Sequence, residues 1–282
     1  SLLAGITADQ LDVSDLRTLD GKPLHARDVV ISADTAGNAV LTFPQGEKVT
    51  LIGVAPAAVT GKQALASIGV PCFASGTRIA TPMGERRVED LRAGDLVQTL
   101  DEGAQPILWA GARQFDADDL AARPDMRPVL IRDGALGNRG DVLVSPQHAV
   151  LVATDQGARL ARARHLAALE DGRFRVARGR REVCYHHLLL PRHAVIFANG
   201  AACESLYPGP QALRSFGPAL CADLLRVLPQ LQLVIAGSKA TSAVYGPLAR
   251  PILGQNAVAR LGRVSAAAPG PLLCHSASPQ TA

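Results

Sequence analysis

Aromatic side chains are scarce in this sequence: one Trp, three Tyr and six Phe among 282 residues, 4% against 48% hydrophobic residues overall. The core must therefore be mainly Ala, Val, Leu and Ile, which suits a compact β-rich protein and argues against a disordered chain. The length is enough for one or two domains with a real core. No apolar run reaches the roughly 18 residues that a membrane span needs, so no span is expected. Cysteine is sparse as well: Cys72, Cys184, Cys203, Cys221 and Cys274, with no C-x-x-C pair. This odd, scattered set excludes a dense disulfide framework and a zinc ribbon, and leaves at least one free thiol. Cys184, Cys203, His186 and His193 would form a zinc site only by converging without short paired spacing, so no metal or cofactor is expected. Acidic residues fall short of basic ones, giving a net charge of +4. Much of the excess lies between Arg159 and Arg181 and reads as a solvated Arg-rich face, so no nucleic-acid partner is expected. The initial Met is also missing. A chain starting at Ser1 is expected of a fragment or processed piece, with any signal peptide outside it.

What is present falls into successive parts. Residues 1–54 read as a small β-rich segment, with strand-like runs at Val29–Ser32, Ala39–Phe43 and Lys48–Val54 and a turn cluster at Asp34–Asn38. Asp12, Asp15 and Asp20 are potential calcium ligands, though surface turn residues are the plainer reading. Residues 55–71 are Ala/Pro/Val/Gly/Ser-rich and read as a linker. Residues 72–209 carry short strand signals at Arg78–Thr81, Leu96–Leu100, Ile107–Trp109, Val129–Ile131, Val142–Ser145, Val150–Ala153, Val183–Leu190 and His193–Ala198. Turn signals such as Pro82-Met83-Gly84, Ala93-Gly94-Asp95 and Asn199-Gly200 separate them, the pattern of an all-β domain. A helical turn or two is predicted within Arg162–Leu169. Residues 210–282 form a helical and irregular tail, with helix candidates at Leu213–Leu231 and Pro247–Leu261 and a fraying end from Ser265.

The most informative stretch is Val70-Pro71-Cys72-Phe73-Ala74-Ser75-Gly76-Thr77, followed by the string from Gly84 to Val97. Three later stretches join it: Val144-Ser145-Pro146-Gln147-His148, Tyr185–His193, and Ala198-Asn199-Gly200. Together, in this order, they resemble the Hint (Hedgehog/intein) domain, of the bacterial Hint_2 type. The tail segment Ala249–Leu261 is similar to one that follows many such domains. The resemblance implies a mainly β, horseshoe-like domain that acts on its own chain. Its substrate would be the segment before Cys72, and the scissile bond Pro71–Cys72. The phrase from Asp34 to Val54 resembles the trailing segment of secreted bacterial RTX-type proteins, without their calcium-binding repeats. That points to a secreted or extracellular location, with a cytoplasmic one as the alternative.

The chemistry is readable in the residues. Cys72 Sγ is tethered to the reacting carbonyl by its own backbone, and attack closes a five-membered ring; such proximity can contribute several kcal/mol. The thiolate is the nucleophile, and the departing nitrogen must be protonated. His148 is the candidate acid, since imidazole titrates at about pH 6.5. The resemblance gives it this role too, within a T-x-x-H motif in which Ser145 replaces Thr. Ser145 can hydrogen-bond the carbonyl oxygen or orient the His. Strand alternation over Tyr185–Leu190 lets only one of His186 and His187 face the site, and His187 and His193 are the further candidates. Thr77, Asn199, Cys203 and Glu204 are possible accessory residues, the last two as relay or base. Asp90 and Asp95 read as turn caps. An intein ends in His-Asn, whereas the corresponding stretch here is Gly200–Ser205. The expected outcome is therefore cleavage at one junction through a thioester, without splicing, the acceptor being water, a thiol, an amine or an alcohol. The rival is a degenerate Hint fold that does not cleave and serves as a structural or binding module. A third reading, a calcium-dependent adhesion or toxin piece, rests only on residues 1–54.

Overall fold

The computed structural model describes residues 29–51 and 70–267, in two compact units that divide between Ile68 and Gly69. In the first unit, β1 (Val30–Ala33), β2 (Ala39–Thr42) and β3 (Lys48–Leu51) form an antiparallel meander. Asp34 makes the first turn: its Oδ1 accepts the backbone N–H of Ala36 at 2.9 Å and of Asn38 at 2.8 Å. Asp12, Asp15, Asp20, Cys274, residues 52–54 of the third expected strand and most of the 55–71 linker lie outside the described residues.

The second unit is mostly β. Its strands are β4 (Phe73–Ala74), β5 (Arg78–Thr81), β6 (Gly84–Arg87), β7 (Leu96–Thr99), β8 (Gly103–Pro106), β9 (Trp109–Phe115), β10 (Val129–Ile131), β11 (Val142–Val144) and β12 (Ala149–Val152). They continue with β13 (Arg159–Arg162), β14 (Phe174–Val176), β15 (Val183–Leu189), β16 (Val195–Ala198), β17 (Ala201–Glu204) and β18 (Ile252–Leu253). One sheet has the order β14-β10-β11-β4-β15-β9; a nine-stranded one runs β18-β13-β12-β17-β16-β5-β6, with β7 and β8 branching from β16. The first order positions the site. It inserts the two-residue strand β4, which follows Cys72 directly, between β11 and β15. Ser145 follows β11 and His187 lies within β15, so sheet pairing alone brings both to Cys72.

The Asn199-Gly200 signal makes the β16–β17 hairpin, with Ala198 opposite Ala201. Both turn residues have positive φ, 49° and 88°, the backbone that Asn-Gly adopts most readily. Strands β4, β6, β8, β13, β14 and β17 have no counterpart among the sequence expectations. They are short and polar or Ala-rich, and their partners across the sheet stabilise them more than their own patterns do. Residues Ile107 and Leu108 are not a strand as expected but the bend between β8 and β9, where Ile107 N–H donates to Asp95 O at 2.8 Å.

Helices are short: α1 (Ala117–Ala122), α2 (Ala163–Ala167), α3 (Pro210–Ser215), α4 (Pro218–Val227), α5 (Gln232–Ile235), α6 (Thr241–Val244) and α7 (Gln255–Leu261). The expected helix at Leu213–Leu231 is broken, because Gly217-Pro218 ends one helix and opens the next and Pro229 ends that one in turn. Of the Pro247–Leu261 candidate only α7 is helical; Ile252–Leu253 instead pairs in parallel with β13. Among the described residues no helix is long and apolar enough to cross a membrane.

Candidate active site

Cys72 lies at the junction of three strands and is 2% exposed. Ser145 grips it from one side. The Ser145 N–H donates to Cys72 O at 2.9 Å, and Ser145 Oγ accepts the Cys72 N–H at 3.1 Å. The same hydroxyl donates to Val70 O at 2.6 Å, and the Cys72 thiol donates to that oxygen at 2.9 Å. The Cys72 amide nitrogen is thus held by a serine hydroxyl within a closed ring of hydrogen bonds.

His187 stands on the other side. Its Nδ1 is 3.1 Å from Pro71 O, and its Nε2 is 3.8 Å from Cys72 Sγ. A carbonyl oxygen can only accept, so Nδ1 carries the proton. In the neutral ring, Nε2 is then a bare lone pair facing the thiol. Burial lowers the His187 pKa to about 4, against the opposing effect of the Pro71 bond, so the ring is neutral at pH 7. Burial also pushes the Cys72 thiol well above its ordinary value, against the pull of Ser145. The thiol is therefore protonated at rest, and would act as a nucleophile only with a base to take its proton.

Strand alternation explains which histidine arrives. His187 pairs with Gly111 across β15 and β9, on the face of β15 that carries Tyr185 and Leu189. His186 points the other way, where its Nε2 lies 2.8 Å from Ser75 Oγ. Trp109 and Phe216 enclose His187: the Trp109 ring stacks at 6.3 Å between centroids, and the Phe216 ring meets it edge-on at 4.9 Å. Gly111 makes the stack possible. A Cβ at this position would lie 2.2 Å from Trp109 Cη2, and real Cβ atoms do not approach so closely. Trp109, Gly111 and Phe216 were not singled out from the sequence. The available signal was W-x-G in a strand, two residues apart and so on one face.

The other named residues have different surroundings. His148 N–H closes the turn onto Ser145 O at 3.0 Å, and its ring packs edge-on against Phe73 at 4.4 Å. Both ring nitrogens are buried and have no hydrogen-bond partner among the described residues. Burial, then the neighbouring His187 and His193, lower its pKa to about 3. His193 makes no hydrogen bond to Cys72. Its Nδ1 accepts the Ala249 N–H at 3.0 Å, which puts the proton on Nε2, 3.3 Å from Glu204 Oε2. That contact is close enough for an ion pair but not aligned as a hydrogen bond. Glu204 Oε1 accepts the N–H of Ala149, the residue after His148, at 2.7 Å. Cys203 pairs with Val150 in the sheet, where burial, then Glu204, pushes its thiol up. Thr77 donates to Ala74 O at 2.7 Å, and Asn199 accepts the Arg78 N–H at 2.7 Å; both serve turns. Among the described residues no group of three or more His, Cys, Asp or Glu is placed to hold a metal ion. The four described cysteines are free thiols.

Cys72 thus stands at the head of a short central strand, with the Pro71 carbonyl oxygen beside His187 Nδ1. The family model of the Hint domain matches residues 71–210, which supports a Hint domain over that stretch. The match begins at residue 71 and gives no support to the RTX-like reading of the N-terminal segment. Among solved structures, the chain is similar to a bacterial intein-like domain from Clostridium thermocellum, with 14% identity over 47% of this chain and 96% of that one and a TM-score of 0.32. No curated protein matches.

Proposed function

We propose that this domain cleaves its own chain at Pro71–Cys72 through a thioester, without splicing. One observation carries the reading: a single neutral imidazole touches both the carbonyl oxygen to be charged and the thiol to be deprotonated. Cys72 passes its proton to His187 Nε2, and Sγ attacks the Pro71 carbon. The growing oxyanion is met by the His187 Nδ1–H already pointed at it. The C–N bond then breaks, and the nitrogen takes up a proton. The thiol has lost one and the amine has gained one, so the step is balanced.

Ser145 Oγ holds that nitrogen throughout. His148, three residues on in the same turn, is the acid we assign to it: it takes up the proton that Cys72 gave to His187, and its desolvated imidazole is a strong acid once protonated. The product is an acyl group on Cys72 Sγ. An outside nucleophile (water, thiol, amine or alcohol) adds to its carbon, the C–S bond breaks, and the nucleophile's proton returns to the sulfur.

The test is intact mass over time for the 1–282 chain, with and without dithiothreitol, beside Cys72→Ala. The expected result is thiol-accelerated breakage at Pro71–Cys72 that Cys72→Ala abolishes. A wild-type chain that stays whole under all conditions would leave the non-cleaving structural module as the reading.

A further inference from the structure

The proposed reaction has two steps with opposite needs. The first uses only groups in contact. The second needs a nucleophile from outside, yet Cys72, Ser145 and His187 are all buried. A cavity of about 500 Å³ in this unit, lined in part by His193, Tyr245 and Ala249, includes none of these three residues. Something must uncover the acyl group, and the contacts identify what covers it.

The cover is the elbow between α3 and α4. Phe216 ends α3, its N–H donating to Ala212 O at 3.2 Å, and Gly217-Pro218 turns the chain into α4. Its ring is 5% exposed and meets the imidazole edge-on, 4.9 Å from His187 and 5.7 Å from Trp109 between centroids. The elbow is held to β9 at two points. The Trp109 indole N–H donates to Asp223 Oδ2 on α4 at 2.7 Å, and the Arg113 guanidinium donates to Ser215 O at 2.9 Å. The Arg113 tether is exposed and the Trp109 one part-buried, and polar contacts of this kind open at lower cost than a packed core.

We propose that Phe216 is the specificity-determining residue of the second step: it closes the aromatic box over His187 and so decides which nucleophiles reach the acyl group on Cys72. The proposal rests on the acyl-shift reading. With the elbow closed, bulk water is excluded and the thioester persists. With it open, a nucleophile enters beside His187, whose imidazole takes the proton that the nucleophile sheds on adding and returns it to the Cys72 sulfur as the C–S bond breaks. Size then sets access, so hydroxylamine passes more readily than glutathione.

The experiment is residue-resolved alkylation by iodoacetamide on the intact 1–282 chain, followed by mass spectrometry. It compares wild type, Phe216→Ala, Phe216→Leu and Asp223→Ala, and needs no cleavage. Cys203, buried in the other sheet, reports global unfolding. The expected result is an increase of about tenfold in Cys72 alkylation in Phe216→Ala, with Cys203 unchanged, a smaller rise in Asp223→Ala, and protection largely restored in Phe216→Leu. In parallel, the ratio of cleavage rates with hydroxylamine and glutathione should fall towards one in Phe216→Ala. Equal Cys72 alkylation in wild type and Phe216→Ala, or a joint rise of Cys72 and Cys203, overturns the proposal. If Cys72 protection responds as expected but no chain breaks, the cover stands and the acyl-shift reading falls.

Discussion

His187 and His148 share one buried neighbourhood, yet the first has a partner at each ring nitrogen and the second has none. Both are desolvated and both are neutral at pH 7. The difference lies in commitment. His187 already reaches from Pro71 O to Cys72 Sγ, on strand β15 between β4 and β9. His148 sits at the end of a turn, held by its backbone alone, with two buried polar atoms left unsatisfied. Buried orphan groups cost stability and call for an explanation. A group that is satisfied only during the reaction is one such explanation, and an unnecessary core histidine is the other.

The largest effect should come from breaking the committed side. His187→Ala removes both the base at Sγ and the donor at Pro71 O, and should slow thioester formation by about 10²–10⁴-fold, the usual worth of a positioned acid–base group. Single-turnover cleavage with dithiothreitol at pH 7 measures it. A loss under about threefold would mean that the contact is incidental.

Acid tests both histidines together. Each has a folded pKa below its unfolded value of about 6.5. The unfolded chain therefore binds more protons as pH falls below about 6.5, and the folded state loses stability until the pH reaches about 4 for His187 and about 3 for His148. The slope is up to about 1.4 kcal/mol per pH unit for each histidine. Urea unfolding of Cys72→Ala between about pH 6.5 and 4.5 reads it, above the range where most carboxylates titrate. His165, its pKa lowered to about 4 mainly by burial, adds its own slope, so a flat profile there would show that none of the three is buried in its neutral form.

Gly111→Ala probes the support of His187 without touching its chemistry. A new Cβ at 2.2 Å from the Trp109 ring must displace a large aromatic that packs against both His187 and Phe216. The expected cost is about 1–3 kcal/mol of stability, with a slowed reaction as His187 loses its stacking partner. Full stability and rate in this variant would mean that the aromatic box does not hold the imidazole.

Much of this was legible beforehand because the relevant signals are local. Cys72 in C-F-x-x-G-T, the Ser145–His148 turn, the Asn199-Gly200 hairpin and the alternation that selects His187 over His186 all depend on residues near one another in sequence. The details that decide the chemistry are non-local. That β4 pairs with both β11 and β15 follows from the sheet order, and no pattern in two residues of strand could announce it. The Phe216 contact crosses from a helix to a strand about 30 residues earlier. His193, grouped with His187 by sequence, lies instead with Glu204 and Ala249, since the β16–β17 hairpin sets its position.

The smallest expected effect is the one that separates the two explanations for His148. Leu has nearly the volume of the imidazole and no polar atoms to strand. Replacing a buried group that has no partner removes its desolvation penalty, so His148→Leu should raise stability by about 1 kcal/mol. For His187 the same change gives up two contacts and should not stabilise. If His148 supplies the nitrogen's proton, the more stable His148→Leu chain is also a slower one, and the gain in stability rules out misfolding as the cause. Urea unfolding in the Cys72→Ala background and single-turnover cleavage in the wild-type background measure the two sides. A His148→Leu chain that is stabilised and cleaves at the wild-type rate would assign the whole proton inventory to His187 and Ser145. One that is destabilised would show that His148 has a partner in solution, and the contrast between the two histidines would disappear.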